Sequence, residues 1–195
     1  MKGNYLRQGW LVLILALVFG GALAGVELGL SGRIEANKRA EAQEAIRGEG
    51  DLPALVPGAA RGEQVTMGGQ QVYRTLDEAG EPVGWVIHSE GQGFAGPIEV
   101  LVGTDMQARE ITGLYVLAQT ETPGLGDTIA QDPDWRAQFV GKNATRPVVV
   151  TKASPSGNQI RAVTGATISS QSVTRIVNTA LAEFRDNLAQ AAEEE

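Results

Sequence analysis

Hydroxyl-bearing and small residues stand together just before a long stretch with helical periodicity. They form the segment Thr164-Gly165-Ala166-Thr167-Ile168-Ser169-Ser170. Hydroxyl side chains at such a position commonly cap the free backbone N–H groups of a helix. The same N–H groups and the positive end of the helix dipole also favour a phosphate group. Two interpretations are therefore open, a simple helix cap and a site at which the Thr167 hydroxyl bears a phosphate.

A second candidate segment is a short turn rich in glycine. It has the sequence Glu121-Thr122-Pro123-Gly124-Leu125-Gly126 and follows a β-forming run that ends at Leu117. Its Pro-Gly pair predicts a rigid turn, which leaves one acidic and one apolar side chain projecting. By itself this is an ordinary turn. Its interest lies in its occurrence together with the hydroxyl-rich segment.

Two glycine patterns match nucleotide-binding motifs in their letters but not in their context. Glycines at 91, 93 and 96 have dinucleotide-fingerprint spacing, yet Pro97 and a β-forming run follow them, whereas that fingerprint must open a helix. Residues 141–143 fail as a phosphate-binding loop, because Arg136 replaces the first glycine and Asn143 replaces Ser or Thr. We therefore exclude a nicotinamide site and a P-loop here.

Composition excludes several other classes of site. The chain of 195 residues has no cysteine, one histidine (His88) and a formal net charge of -7. The lack of cysteine excludes disulfides, thiol nucleophiles and thiolate-bound metals, and one histidine cannot form a His cluster. Negative charge without a basic stripe argues against nucleic-acid binding. No residues suggest a catalytic or metal site, and we interpret His88 as structural or solvated.

Turn signals and periodicity predict the elements that must hold the two segments. A hairpin is predicted at 72–76 and 83–87, further strands at 98–102, 111–117 and 147–150, and a short helix at 134–139. The last segment has one apolar stripe at helical spacing, formed by Val173, Ile176, Val177, Ala180, Leu181, Phe184 and Leu188. We predict an α+β domain with a mainly antiparallel sheet and a long C-terminal helix.

The amino terminus predicts a membrane anchor. Residues 8–26 carry no charge, and the apolar run approaches the roughly 20 residues that span a bilayer as a helix. Lys2 and Arg7 ahead of the run favour a cytoplasmic tail, which places the following domain across the membrane. The small residues at 22–24 also match a cleavable secretory signal. Both interpretations are open, and we favour an uncleaved single span at residues 9–30.

The region between anchor and domain predicts a stalk and a linker. Residues 31–47 are rich in charge and helix formers, and residues 48–69 are rich in proline and glycine. Within the anchor, Gly21, Gly25 and Gly29 share one helix face, which permits close packing of a partner subunit. The predicted organisation is an anchor at 1–30, a stalk and linker at 31–64, and a domain at 65–195.

Three short segments, taken together in their order along the chain, resemble those of the FMN-binding domain family. They are the stretch Gly93-Phe-Ala-Gly-Pro-Ile98, the turn at 121–126 and the segment at 164–170. The chain resembles in particular the G subunits of Rnf electron transport complexes, which are related to the C subunits of the Na+-translocating NADH:quinone reductase. The resemblance covers the anchor and about residues 65 to 185. Two positions depart from the family pattern, where Arg161 replaces a common Asp and Gln119 a common His.

The resemblance implies a covalently bound flavin. The second threonine of the family motif, Thr167 here, carries FMN through a phosphoester that a flavin transferase installs. The resemblance assigns further cofactor contacts to the residues around it and to the turn near the flavin ring, namely Thr164, Gly165, Ala166, Ile168, Ser169, Glu121, Thr122, Leu125 and Gly126.

The function that the resemblance implies is electron relay. The chain is expected to carry covalent FMN in a membrane-bound, ion-translocating ferredoxin:NAD oxidoreductase, without stand-alone catalytic activity. Its expected partners are the other subunits, a flavin transferase and the membrane. Its expected location is the bacterial inner membrane, with the domain on the extracytoplasmic side. Two alternatives are a non-redox, membrane-anchored binding module and a regulatory flavoprotein of the same domain family.

Overall fold

The computed structural model describes residues 9–10, 12–26, 29 and 55–193. The chain divides into two compact units, residues 1–44 and residues 45–195. Each unit is described by itself. The stalk helix predicted at residues 31–47 lies outside the described residues, as does the part of the predicted linker before Leu55.

The first unit contains the N-terminal helical residues. Residues 9–10, 12–26 and 29 are helical, and their side chains are exposed. Within the described ranges, no helix combines the length and the apolar character needed to cross a membrane. The membrane span at residues 9–30 stays a prediction, and so does the packing of a partner helix on its glycine face.

A five-stranded antiparallel sheet forms the body of the second unit. Adjacent strands are also consecutive in the chain. The strands are β1 (Arg61–Met67), β2 (Gln70–Leu76), β3 (Pro82–Gln92), β4 (Pro97–Asp105) and β5 (Ile111–Gln119). The predicted hairpin is confirmed, with Val72 opposite Ile87. The predicted mainly antiparallel sheet is confirmed as well.

Short polar turns connect the strands. Between β2 and β3, the N–H of Glu81 donates to Asp77 Oδ1 at 2.8 Å. Between β4 and β5, Asp105 Oδ1 accepts from the N–H groups of Arg109 and Glu110 at 2.6 and 2.9 Å. A short aspartate side chain replaces a backbone acceptor in such turns. These turns explain why this part of the strand order is readable from local sequence.

The first strand corrects the predicted linker. The proline- and glycine-rich residues 48–69 predict a linker that leads into a domain from residue 65, but residues 61–67 form β1 and pair with β2 along their whole length. β1 is an edge strand, and only its Val65 and Met67 side chains pack on the core. A strand that is solvated on one face and unpaired along one edge needs few apolar residues. Its sequence therefore lacks the apolar pattern of the inner strands.

Shorter elements follow the sheet. They are α1 (Thr128–Gln131), α2 (Pro133–Ala137), β6 (Val149–Thr151) and β7 (Gln159–Arg161). The short helix predicted at 134–139 is confirmed with shifted ends. It begins at Pro133, because Asp132 Oδ1 caps it by accepting from the N–H groups of Asp134 and Trp135. Proline is well suited to the first position of a helix.

The strand predicted at 147–150 is observed at 149–151 as β6. Its start is displaced because the backbone of Val148 is bonded to a side chain instead of a strand. The N–H of Val148 donates to Asn178 Oδ1 at 2.9 Å, and Asn178 Nδ2 donates to the Val148 carbonyl at 2.9 Å. β6 pairs in parallel with β7, a strand that was not predicted, since a three-residue strand has too few residues to show a periodicity.

The C-terminal helix α3 (Thr167–Glu193) covers one face of the sheet. The predicted apolar stripe is confirmed, because its residues from Val173 to Phe184 are buried in the core and Leu188 packs against it. Phe184 lies against Trp85 of β3, with ring centroids 5.4 Å apart. The stripe fixes the direction of α3 and hence the position of its first turn.

The opposite face of the sheet is covered by residues 55–59. Leu55, Val56 and Ala59 pack there with Tyr73 and other side chains of the inner strands. Burial raises the pKa of the Tyr73 phenol. The histidine interpreted as structural or solvated lies on β3, with His88 Nε2 3.7 Å from Glu99 Oε2.

Candidate functional site

One cavity brings together the two segments singled out in the sequence. It has a volume of about 430 Å³. All of the predicted site residues line it except Thr164, which is exposed and lies outside the lining. Phe94 and Lys152 complete the lining. The tertiary structure therefore places the turn after β5 against the first turn of α3.

The first turn of α3 has unused hydrogen-bond donors. The N-cap residue is Ala166, whose carbonyl accepts from the N–H of Ser170 at 3.0 Å. Alanine has no side-chain oxygen to bond the next N–H groups, so a capping hydroxyl at this position is not observed. Within the described part of the chain, the N–H groups of Thr167, Ile168 and Ser169 have no acceptor. Free N–H groups at a helix start attract an anion.

A hydroxyl further inside the helix stabilises the loop before α3. Ser170 Oγ accepts from the N–H of Val163 at 3.0 Å and donates to the carbonyl of Ala166 at 2.9 Å. Gly165 completes this loop at a φ of 83°, which other residues rarely adopt. A β-carbon on Gly165 would lie 3.0 Å from Leu125 Cδ2. The loop thus presents the helix start to the cavity and contacts the opposite wall.

Thr167 is the first residue of α3 and lines the cavity. Its side chain is half-buried. In the described structure its hydroxyl makes no hydrogen bond with another group, so the oxygen is available for a bond to a ligand. Among the three residues at the helix start with free N–H groups, Thr167 is the one whose hydroxyl is not bonded to the protein. Ile168 has no hydroxyl, and Ser169 donates its own to Glu121.

The turn after β5 forms the second wall. The carbonyl of Thr122 accepts from the N–H of Leu125 at 3.1 Å, which closes the predicted turn. Gly126 then passes close to the carboxylate and to the helix. A β-carbon there would lie 2.7 Å from Glu121 Oε2 and 2.9 Å from Ser169 Oγ. A side-chain carbon at this position would have to displace Glu121 or Ser169, which favours glycine.

Glu121 is buried at the back of the cavity, with 4% of its surface exposed. Its Oε1 accepts from the N–H groups of Phe94 and Ala95 at 2.7 and 3.2 Å. Its Oε2 accepts from Ser169 Oγ at 2.7 Å. Both carboxylate oxygens are therefore bonded to the protein. The turn, the β3–β4 loop and α3 meet at this one side chain.

Sequence reasoning did not assign Phe94 and Lys152 to the site. Phe94 belongs to the stretch 93–98, which the sequence indicated as part of the resemblance but without a role. Lys152 lies in the loop after β6, and no local pattern marks it. It is the one cationic side chain in the described lining, and Glu121 is the one anionic side chain. Lys152 provides positive charge on the same cavity as the free N–H groups of α3.

Sequence comparison identifies the domain. The family described as FMN-binding domain matches residues 93–182, which include both walls of the cavity. The G subunit of the ion-translocating oxidoreductase complex of Methanosarcina acetivorans is 35% identical over 140 residues, or 67% of this chain and 71% of that protein. The chain belongs to this family of G subunits.

A second relative and a solved structure are also similar to the chain. The G subunit of the Na(+)-translocating ferredoxin:NAD(+) oxidoreductase complex of Acetobacterium woodii is 36% identical over 110 residues. This match covers 55% of the chain and about half of that relative, 52% of its length. The crystal structure of Shewanella oneidensis NqrC has the same fold, with a TM-score of 0.52 and 22% identity over 67% of this chain and 66% of that chain.

Of the two departures from the pattern of this family, Gln119 bonds through its side chain and Arg161 through its backbone. Gln119 Oε1 accepts from the N–H of Glu121 at 2.6 Å, so it helps to set the start of the turn. Arg161 lies on β7, where its N–H donates to Gln138 Oε1 at 2.7 Å and its carbonyl accepts from Trp135 Nε1 at 2.9 Å. Neither residue contributes an atom to the cavity lining.

Proposed function

We propose that this chain is the electron-relay subunit of an ion-translocating ferredoxin:NAD oxidoreductase of the Rnf type. It carries FMN as a phosphoester on Thr167. The observation that carries this proposal is the unbonded hydroxyl of Thr167, which lies beside free N–H donors at the start of α3 and on the cavity wall. Membership in the family of G subunits supports the proposed partners, which are the other subunits of the complex.

The residues of the cavity fit FMN. The phosphate group is anionic, and the N–H groups of Thr167, Ile168 and Ser169 and the α3 dipole favour an anion beside the Thr167 oxygen. Lys152 adds a positive charge to the same lining. The exposed apolar side chains of Phe94 and Leu125 are suited to a flat aromatic ring.

The bound flavin supplies the electron-transfer chemistry, and the chain binds and orients it. The lining residues have no nucleophile–base pair that would indicate substrate chemistry. The Glu121 carboxylate is occupied by three protein donors, and the Ser169 hydroxyl by Glu121. We propose that the chain acts as a relay, without catalytic activity of its own.

The direct test is the mass of the full chain produced together with a flavin transferase. Ester formation replaces the hydrogen of the Thr167 hydroxyl by the flavin phosphoryl group. The chain is therefore expected to gain the mass of one FMN less one water and to stay fluorescent after denaturation. The purified protein should be yellow. A colourless chain of unchanged mass would contradict the proposal and favour a non-redox binding module.

We also propose that residues 9–30 anchor the chain in the inner membrane, with the FMN-binding domain on the extracytoplasmic side. The charge-free run and the positive tail at Lys2 and Arg7 support this orientation. A reporter that is active only outside the cytoplasm, fused after Glu195, is expected to be active. Activity of a cytoplasm-specific reporter instead would contradict the topology. Amino-terminal sequencing that begins near Gly25 would show a cleaved signal instead of an anchor.

A further inference from the structure

Large exposed apolar side chains are concentrated at the mouth of the cavity. Between residues 55 and 193, the large apolar residues that are exposed are Phe94, Leu125, Val140, Val149 and Ile168. Three of these five line the cavity, namely Phe94, Leu125 and Ile168, with exposures of 63%, 48% and 53%. We call these three side chains the apolar rim. Clustered exposed apolar side chains commonly mark a ligand-binding site.

The apolar rim is built from three segments that are distant in the sequence. Phe94 lies in the β3–β4 loop, Leu125 in the turn after β5, and Ile168 in the first turn of α3. Strand pairing between Ile98 and Gln119 and a bond from Arg175 to the Gln92 carbonyl also join the elements that carry these segments. The buried carboxylate of Glu121 lies in the same turn as Leu125 and bonds the other two segments directly. Its hydrogen-bond donors include the backbone of Phe94 itself and the side chain of Ser169, next to Ile168.

We propose that Glu121 is a positioning residue that holds the apolar rim together as the seat of the isoalloxazine ring. This inference rests on the proposed function, since it assumes that FMN is the occupant. It adds a reason for the expectation that Glu121, in the turn near the flavin ring, belongs to the cofactor site. Both of its oxygens are bonded to the protein, so we assign its effect on the ring to the three segments that it holds.

The geometry explains why an acidic side chain is found there. The Glu121 Oε1 atom accepts from two backbone N–H groups of the β3–β4 loop, and Oε2 accepts from the Ser169 hydroxyl. Hydrogen bonds to a carboxylate are stronger than those between neutral groups. Loss of the side chain would also leave these three donors without their acceptor in the interior, which is costly. A glutamine in the same place keeps one acceptor for the loop and a group that can donate to the serine oxygen.

Four variants of the full chain test the inference, namely Glu121→Ala, Glu121→Gln, Ser169→Ala and, as a matched control, Thr174→Val. Thr174 is a buried residue of the same helix whose hydroxyl bonds the carbonyl of Ser170 instead of Glu121. In flavin-free protein, amide hydrogen exchange at Phe94 and Ala95 is expected to become about tenfold faster in Glu121→Ala and Ser169→Ala. Glu121→Gln and Thr174→Val should stay close to the wild type.

In chains loaded with FMN by a transferase, the variants Glu121→Ala and Ser169→Ala should expose the flavin ring to solvent. Quenching of the flavin fluorescence by iodide is expected to rise toward that of free FMN, and the fine structure of the flavin absorption band should weaken. In Glu121→Gln, the iodide quenching and the fine structure of the absorption band should both stay as in the wild type. A variant whose changes come from unfolding would also lose its circular dichroism signal. If Glu121→Ala does not fold, Ser169→Ala, which removes only one oxygen, still tests the inference.

The outcomes separate this inference from the proposed function. If the wild type acquires no flavin, the proposed function fails, whereas the exchange rates still report on the hydrogen bonds at Glu121. If the wild type is loaded and folded Ser169→Ala and Glu121→Ala chains keep wild-type exchange and quenching, the positioning role is wrong. If Glu121→Gln keeps wild-type exchange but exposes the flavin as much as Glu121→Ala does, the carboxylate acts through its charge on the flavin, and the positioning role is wrong as well.

Discussion

Replacement of Thr167 by Val is expected to abolish the covalent flavin completely while the fold stays intact. Valine is nearly isosteric with threonine and removes only the oxygen to which the phosphate would be attached. The Thr167 hydroxyl makes no hydrogen bond in the described structure, so its loss should change the free energy of unfolding by no more than about 0.5 kcal/mol. Intact-mass measurement and flavin fluorescence after denaturation are the two readouts.

Thr164→Val is the matched control for this experiment. Thr164 belongs to the same segment, but it is exposed and lies outside the cavity lining. The control protein should therefore keep the full mass increase and its fluorescence. A flavin that survives denaturation in the Thr167→Val protein would show that the bond is made by another residue. Loss of flavin in both variants would indicate that the segment as a whole, and not the single oxygen, is required.

Phe184→Ala is expected to lower the free energy of unfolding of the FMN-binding domain by about 3–5 kcal/mol. Phe184 is fully buried between α3 and the sheet and lies against Trp85. Its truncation removes apolar contacts and leaves a cavity that close-packed neighbours fill only in part. Denaturant titration followed by near-ultraviolet circular dichroism, which reports on the packing of tryptophan, measures the change.

The neighbouring variant Glu183→Ala is the control, because Glu183 is on the same helix and exposed. It should change the free energy of unfolding by no more than about 0.5 kcal/mol. A loss below about 1 kcal/mol in Phe184→Ala would contradict the observed packing of α3 on the sheet. The result bears on the site as well, since the packed part of α3 sets where Thr167 is presented.

Thr167 and Phe184 lie in different parts of the same helix, α3. The middle of α3 is an apolar stripe fixed by the core, and its first turn supplies the free N–H groups and the Thr167 hydroxyl. Rigid secondary structure positions a binding group more accurately than a loop does. In this domain the core packing of the helix and the geometry of the flavin site are therefore linked.

Much of the fold was predictable because its signals are local. The inner strands alternate with polar turns, and the stripe from Val173 to Leu188 repeats at helical spacing, so both follow from short windows of sequence. The edge strand β1 and the short strand β7 were missed. β1 is largely solvated, and β7 has three residues, so neither carries enough apolar pattern to be recognised.

The sequence by itself determined the two segments of the site, because each is a short run whose residue types have a defined backbone and hydrogen-bonding chemistry. Only the tertiary structure decided how they meet. The bond between Ser169 and Glu121 joins residues 48 positions apart, and Phe94 and Lys152 reach the same cavity from two further loops. Such contacts depend on the packing of the sheet against α3, and no local pattern encodes them.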